Sequence, residues 1–285
     1  MPTIAFITTC KGRLDHLRKT LPLMVAQQPD EIVVVDYSCP DGAGDWVETN
    51  HPDVKVVRVA ESGDFAMCRA RNIGARHTNA QWLVFIDADI VIEAGWVQWM
   101  RESLRPGLFY RCAPVDGARD FETFGTAICD RTGFDTAGGF DEVLTGWSGG
   151  DFDFYRCLAD HGIQEREYPA AFVKAIPHGD ERRAGFDGLK SRDERMVLSL
   201  CYTQAKRFFI KMQDSKEPLP FEQRIRIFST LRDQLKSWQD SGAEGPMTAT
   251  FAQDHGSRWA SEVYSVGSEF SVTFRVEQGH TQIKL

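Results

Sequence analysis

The stretch Leu83-Val84-Phe85-Ile86-Asp87-Ala88-Asp89 sets two carboxylates at the end of a short apolar run. Four consecutive apolar residues are too few for a helix and suit a strand buried on both faces. Acids at the exit of such a strand are costly unless something positive meets them. A divalent cation carried in by a phosphate ligand is one answer, because carboxylate oxygen is the ligand such ions take. An acidic turn between strand and helix is the other. The spacing alone leaves both open.

Polar groups recur at the ends of other apolar runs. Thr8-Thr9 closes a run that starts at Thr3, and Asp36 closes Glu31-Ile-Val-Val-Val-Asp36. His178, in Pro177-His178-Gly179-Asp180, follows the apolar stretch Ala171–Ile176. Each by itself reads as a loop residue or a helix cap. Their coincidence at one edge of a sheet argues for a ligand there. Arg182, Arg183, Lys190, Arg192 and Arg195 come next, interleaved with Glu181, Asp187, Asp193 and Glu194. That mixture reads as a solvated surface stretch, with a mobile phosphate-meeting lid as the alternative.

The elements that position these residues alternate along the chain. Strands are expected at Thr3–Thr9, Glu31–Asp36, Val54–Val59 and Leu83–Ile86. Helices are expected between them, at Leu14–Gln28 and at Ala66–His77, the latter carrying Arg69, Arg71 and Arg76. Tyr37–Gly44 is a turn-rich loop. Strands separated by helices of this length imply right-handed βαβ units and a mostly parallel sheet. Such sheets bind ligands beyond the carboxyl ends of their strands, where Thr8, Asp36, Asp87 and Asp89 fall.

Further on, a helix is expected at Ala94–Leu104, strands at Leu108–Ala113 and Thr123–Cys129, and a glycine-containing loop at Asp135–Glu142. A helix then runs to about His161, and a strand covers Ala171–Ile176. Helical spacing continues over Leu189–Gln213 and Phe221–Trp238. Phe270, Val272, Phe274 and Val276 alternate with polar residues as a terminal strand. Residues beyond about 190 read as an appended region.

With 285 residues the chain fits one large α/β domain with additions. A net charge of -8 leaves no basic excess for a nucleic-acid backbone, although a nucleotide whose charge a metal neutralises remains compatible. The 7 cysteines are scattered and show no C-x-x-C spacing, so neither a disulfide framework nor a zinc cluster follows. Reduced thiols and a cytoplasmic location are expected. The N-terminus reads as a first strand rather than a signal peptide, and no apolar run is long enough for a membrane span. Peripheral membrane association stays compatible with the sequence.

The order strand–Thr8-Thr9, strand–Asp36, R-A-R-N-I-G-A (Arg69–Ala75), F-I-D-A-D resembles the nucleotide-sugar half of GT-A-fold glycosyltransferases, particularly family-two enzymes. G-G-F-D-E (Gly138–Glu142) and G-W-S-G-G-D-F-D (Gly146–Asp153) resemble their acceptor-side motifs. The second is also similar to the G-W-G-G-E-D-x-D of galactosyltransferase-type and chondroitin-polymerase-type domains. The resemblance covers roughly residues 1–185. It implies a nucleotide-sugar half at about 1–105, an acceptor half at about 106–185, and a C-terminal helical and β extension, 186–285, packed on the catalytic domain.

The resemblance also implies roles. Asp89, Asp87 and His178 become the ligands of Mn²⁺ or Mg²⁺, with Asp89 the direct one and Asp87 shared with the nucleotide. An imidazole favours Mn²⁺. Thr8, Asp36 and Arg71 fall at donor positions, although an arginine on a helix face is ordinarily only solvated. Trp147 becomes a sugar platform, with core packing as the alternative. Asp151 aligns with the base that takes the acceptor's proton, and Asp153, at the start of a helix, reads as a helix cap. Gly150 departs from the motif, which has Glu there.

The implied activity is metal-dependent, inverting transfer from a nucleotide sugar, most simply a UDP-sugar, to a hydroxyl of a glycan, lipid-linked or other acceptor. A retaining transferase resembling polypeptide N-acetylgalactosaminyltransferases is the alternative. A sugar-nucleotide pyrophosphorylase would want a richer glycine loop than T-T-C-K-G-R after the first strand. A non-catalytic carbohydrate-binding protein would need no such set of acids.

Overall fold

The structure is a computed structural model and describes residues 2–61, 65–145, 149–177, 192–212, 218–242, 246–259 and 262–274. Trp147 and His178 lie outside the described residues, as does most of the basic stretch that follows His178. The chain divides into two compact units, Met1–Gly188 and Leu189–Leu285.

In the first unit the strands are β1 (Ile4–Cys10), β2 (Glu31–Asp36), β3 (Lys55–Arg58), β4 (Trp82–Phe85), β5 (Ile90–Ile92), β6 (Leu108–Cys112), β7 (Ala127–Asp130), β8 (Gln164–Tyr168) and β9 (Val173–Ala175). The helices are α1 (Leu14–Ala26), α2 (Ala43–Asn50), α3 (Met67–Arg76), α4 (Trp96–Ser103), α5 (Arg131–Thr136) and α6 (Gly150–Asp160). Seven strands make one sheet in the order β3-β2-β1-β4-β7-β6-β8.

Strands β3, β2, β1 and β4 run parallel, and β6 and β8 run parallel to each other. Strand β7 is antiparallel to both β4 and β6. The sheet is therefore α/β and mostly parallel, with one reversed strand at the junction of the two halves. That reversal sends the chain straight into α5 and the G-G-F-D-E loop.

Both faces of the central strands are covered, so β1 is buried along its whole length. Phe6, Val34, Trp82 and Val84 pack on one face against Leu17, Leu21 and Met24 of α1 and Trp96 and Met100 of α4. On the other face Phe85 meets Phe134, Phe140 and Phe154, with ring centroids 5.7, 5.0 and 6.3 Å away. Helix α3 lies close to that face. A Cβ on Gly74 would come within 2.5 Å of Ile7 and 3.1 Å of Val35, so only glycine permits this approach.

Register then brings the strand ends together. Cys10 pairs with Asp36, Ile7 with Phe85, and the Ile86 N–H donates to the Ile7 carbonyl at 3.0 Å. Thr8, Thr9, Asp36 and Asp87 thus share the carboxyl edge. The small β5–β9 pair carries the chain back to this edge, where the Ile176 N–H donates to the Asp89 carbonyl at 2.8 Å.

The second unit contains α7 (Arg192–Met212), α8 (Phe221–Asp240) and a long antiparallel hairpin, β10 (Met247–Trp259) with β11 (Glu262–Phe274). Tyr202 meets Phe228 edge-on at 5.5 Å, and Phe209 meets Phe251 at 5.2 Å, joining both helices and the hairpin in one core. Among the described residues no helix is long and apolar enough to cross a membrane.

Candidate active site

Four elements converge on a buried ionic cluster beyond β4. Helix α3 supplies Arg71, the turn after β4 supplies Asp87, the first turn of α6 supplies Asp151, and the short link before β7 supplies Gly125. Arg71 is 1 % exposed. Its Nη2 donates to Asp87 Oδ1 at 2.7 Å and its Nη1 donates to Asp151 Oδ1. The guanidinium also lies 5.1 Å from the centre of the Phe140 ring. One fork thus neutralises two acids from the two halves of the unit, a geometry that lysine could not reproduce.

The resemblance placed Arg71 at a donor position; here its partners are Asp87 and Asp151. Arg69 does face solvent, pairing with Glu61 and Glu142, whereas Arg71 is buried as the cation of the cluster. Next to it, Asn72 donates to the Phe140 carbonyl at 2.8 Å and to Glu142 Oε1 at 2.9 Å, and accepts from the Phe140 N–H at 2.9 Å. R-A-R-N and G-G-F-D-E are therefore one clasp. Gly139 sits at φ +70°, and a Cβ there would lie 2.8 Å from Asn72 Oδ1, so both its conformation and its space require glycine.

Gly125 had no signal in the sequence. A Cβ on it would lie 2.7 Å from Arg71 Nη2, 2.8 Å from Asp87 Oδ2 and 3.3 Å from Asp151 Oδ2. The missing side chain leaves room beside the second oxygens of both acids. Burial pushes the Asp151 carboxyl above its ordinary range; Arg71 works against this and Asp87 adds to it. Behind Asp151, one helical turn on, Tyr155 donates to the Phe124 carbonyl at 2.7 Å. The Arg111 guanidinium lies against both the Phe124 and Tyr155 rings, 4.1 and 4.3 Å from their centres.

Asp89 is mostly buried, and its Oδ2 lies 3.8 Å from Arg13 Nη1 at the start of α1. Asp36 accepts from the Cys39 N–H at 2.7 Å and the Gly44 N–H at 2.8 Å, with Arg58 at 3.6 Å. It ties down the loop after β2 while remaining at the carboxyl edge. Thr8 is fully buried, and its Oγ1 has no hydrogen-bond partner among the described residues. Asp153 is buried within the first turn of α6; the cap position itself is Gly149, in the left-handed region. A Cβ on Gly150 would fall 2.4 Å from Cys68 Sγ. The glutamate of the related motif has no room here while Cys68 stands opposite.

Among the described residues no three His, Cys, Asp or Glu side chains gather as a metal cluster. The oxygen donors of Asp87 and Asp89 nevertheless suit a hard divalent cation, and Gly125 leaves space at Asp87 Oδ2 that a Cβ would fill.

Residues 5–107 match the family described as glycosyl transferase family 2. That span contains β1–β4, Arg71, Asp87 and Asp89. The chain has the GT-A fold. Similar solved structures include a mannosyltransferase from Pyrobaculum calidifontis in complex with GDP-Man and Mn²⁺, with 20% identity over 85% of this chain and 76% of that one and a TM-score of 0.51. GalNAc-T7 with UDP, GalNAc and Mn²⁺ gives 16% identity over 85% of this chain and 58% of that one, at a TM-score of 0.56. S. aureus TarS 1-349 gives 15% identity over 84% of this chain and 72% of that one, at 0.54. No curated protein matches the chain.

The space at Gly125 carries an expected result for any catalysis at this cluster. Gly125→Ala should lower turnover roughly a hundredfold, the scale of an ångström-sized misplacement of reacting groups. Circular dichroism should still report a folded chain. Turnover equal to the parent's would mean that the space has no part in the reaction.

Proposed function

We propose that the chain is a glycosyltransferase that inverts the anomeric centre as it moves a sugar from a UDP-sugar to a hydroxyl of a glycan or glycoconjugate, with a divalent metal. The observation that carries the reading is the Arg71 fork, which joins a donor-side acid, Asp87, to a partly buried acid on the acceptor side, Asp151.

The chain's own groups divide the work as follows. Thr8 and Asp36 hold the nucleoside at the ends of β1 and β2, the unpartnered Thr8 hydroxyl being an available donor or acceptor. Asp89 and Asp87 Oδ2, with His178 two residues beyond Ile176, would hold Mn²⁺ or Mg²⁺, whose chemistry is Lewis-acid stabilisation of the departing diphosphate. Trp147 stacks on a sugar ring. Asp151 uses Oδ2 to take the proton of the acceptor hydroxyl as its oxygen attacks the anomeric carbon. Arg71 keeps Asp151 ionised and aimed. Because Asp151 acts as base and not as nucleophile, a single displacement follows, and the product has the opposite anomeric configuration.

Thermal unfolding with UDP, GDP and nucleotide sugars, each with and without Mn²⁺, tests the donor and the metal. A nucleotide at a hundred times its Kd adds about 2.7 kcal/mol, or roughly 5–11 °C for a unit of this size. The shift is expected with UDP and Mn²⁺ together and is lost on adding EDTA. A shift with GDP alone would reassign the base, and none with any nucleotide would sink the reading. A product that keeps the donor's anomeric configuration would remove the base role from Asp151.

A further inference from the structure

At the carboxyl edge, next to the proposed nucleoside contact, two thiols face each other across β1 and the loop after β2. Cys10 ends β1 and is fully buried; Cys39 is partly exposed. Their Sγ atoms are 3.9 Å apart. The Gly12 N–H donates to Cys39 Sγ at 3.2 Å, so a backbone donor from the β1–α1 turn is already aimed at that sulfur. A disulfide needs the sulfurs to close to about 2.05 Å, an approach of roughly 2 Å that has to come from a shift of the loop carrying Cys39.

We propose that Cys10 and Cys39 are a peroxide-reactive thiol pair whose oxidation to a disulfide weakens nucleotide binding. Cys39 is the attacking sulfur. The Cys10 thiol donating to it holds its pKa down to about 6; burial opposes this, and the backbone at Asp41, Gly12 and Ala43 adds to it. Cys10 is displaced the other way, first by sharing its proton with Cys39 and then by burial. A lowered thiol with access to solvent beside a protonated one is the arrangement of an attacking and a resolving cysteine.

The chemistry closes without a further reagent. The Cys39 thiolate attacks one oxygen of hydrogen peroxide. The S–O bond forms, the O–O bond breaks, and the released hydroxide takes a proton to become water. Cys10 then gives up its proton and attacks the Cys39 sulfur, forming S–S and releasing the sulfenic oxygen as a second water. Two thiols lose two electrons and the peroxide gains them.

The consequence reaches the donor edge by contacts already in place. The Cys39 N–H is what holds Asp36 Oδ1, at 2.7 Å. The β1–α1 turn that donates to Cys39 Sγ continues into Arg13, 3.8 Å from Asp89. Drawing Cys39 onto Cys10 breaks the Gly12 contact and shifts the residue that orients Asp36. This half of the inference rests on the donor reading above, whereas disulfide formation does not.

The test treats the full chain with equimolar hydrogen peroxide, alkylates the remaining thiols and maps the linked peptides by mass spectrometry. UDP binding with Mn²⁺ is measured on the same samples by calorimetry. The expected result is a Cys10–Cys39 linkage formed ahead of any other cysteine oxidation. UDP affinity should fall roughly tenfold, the usual scale of coupling between sites, and return with dithiothreitol. Cys10→Ser should keep its affinity after peroxide and accumulate a dimedone-reactive sulfenic acid at Cys39. Oxidation of the other cysteines with no Cys10–Cys39 linkage would overturn the pair. A linkage that leaves UDP affinity unchanged would overturn its effect on the site. If the reduced chain binds no nucleotide, the donor reading fails and the linkage stands or falls on the peptide map.

Discussion

Asp151→Asn is expected to abolish sugar transfer while leaving donor binding nearly intact. The amide matches the carboxylate in shape and can still occupy the space beside Arg71, but it cannot take a proton. Loss of a general base costs roughly 10²–10⁴ in rate, so kcat should drop by that factor, with the UDP-induced thermal shift within about a degree of the parent's. The parent's pH profile checks the same assignment. Burial raises the Asp151 pKa, so its base form is lost as pH falls through a value above the ordinary carboxylate range. The rate should therefore decline on the acid side from that raised value, and the limb should vanish in the Asn variant. Transfer at the parent's rate would exclude Asp151 as base; loss of the UDP shift as well would make it a donor ligand.

Arg71→Met is expected to destabilise the first unit strongly. The guanidinium is almost wholly enclosed, and the acids it serves are 26% and 18% exposed at the side chain. Removing one partner of a buried ionic group strands the other charges and costs about 3–5 kcal/mol. Urea unfolding of the full chain, followed through the tryptophans of the first unit, measures this. Adding Asp151→Asn to Arg71→Met should recover part of the loss, since one stranded charge is then gone, giving a coupling of roughly 1–3 kcal/mol. Arg71→Lys should restore only part, because a single ammonium nitrogen cannot take the two positions from which Nη1 and Nη2 reach Asp151 and Asp87. A loss below about 0.5 kcal/mol, the range of ordinary surface changes, would mean that the cluster is not held by Arg71.

The donor half was largely legible from apolar runs. Ile4–Ile7, Ile32–Val35 and Leu83–Phe85 declare buried strands because nothing polar interrupts them, and the polar residues that close them mark the edge. Other elements carry no such pattern. Helix α2 reads A-G-D-W-V-E-T-N, too short and polar to be told from a loop. Strand β8 reads Q-E-R-E-Y and is fixed by Arg111 and Arg119 pairing with Glu165 and Glu167 across the strands. The reversal of β7 depends on strand pairing, which composition does not encode. In the second unit the alternating tail marked β11, while its partner β10 runs through D-H-G-S-R, where alternation fails.

At the site, the acids and Arg71 could be listed in advance, but not that Arg71 is the enclosed cation joining Asp87 to Asp151. Arg69 and Arg71 stand two apart on α3, which turns them to different sides, and only packing tells which one is enclosed. Gly125 is defined by what lies opposite it, and a lone glycine before a strand announces nothing. Gly150 was visible as a departure from the related motif. Its reason, the Cys68 sulfur in the way, is a contact between residues far apart in sequence.

The clasp made by Arg71 and Asn72 bears on how such enzymes can be recombined. The family match ends at residue 107, which invites joining the donor half of one enzyme to the acceptor half of another at that border. The molecule does not come apart there. Asn72 is bonded to the backbone of Phe140, and Arg71 to Asp151. A hybrid cut at the border would pair an Arg-Asn dipeptide with a loop and a glycine that were shaped for different neighbours. A workable graft has to carry Arg71, Asn72, Gly125 and Gly138–Glu142 as a single inherited block, even though its pieces are scattered over some seventy positions.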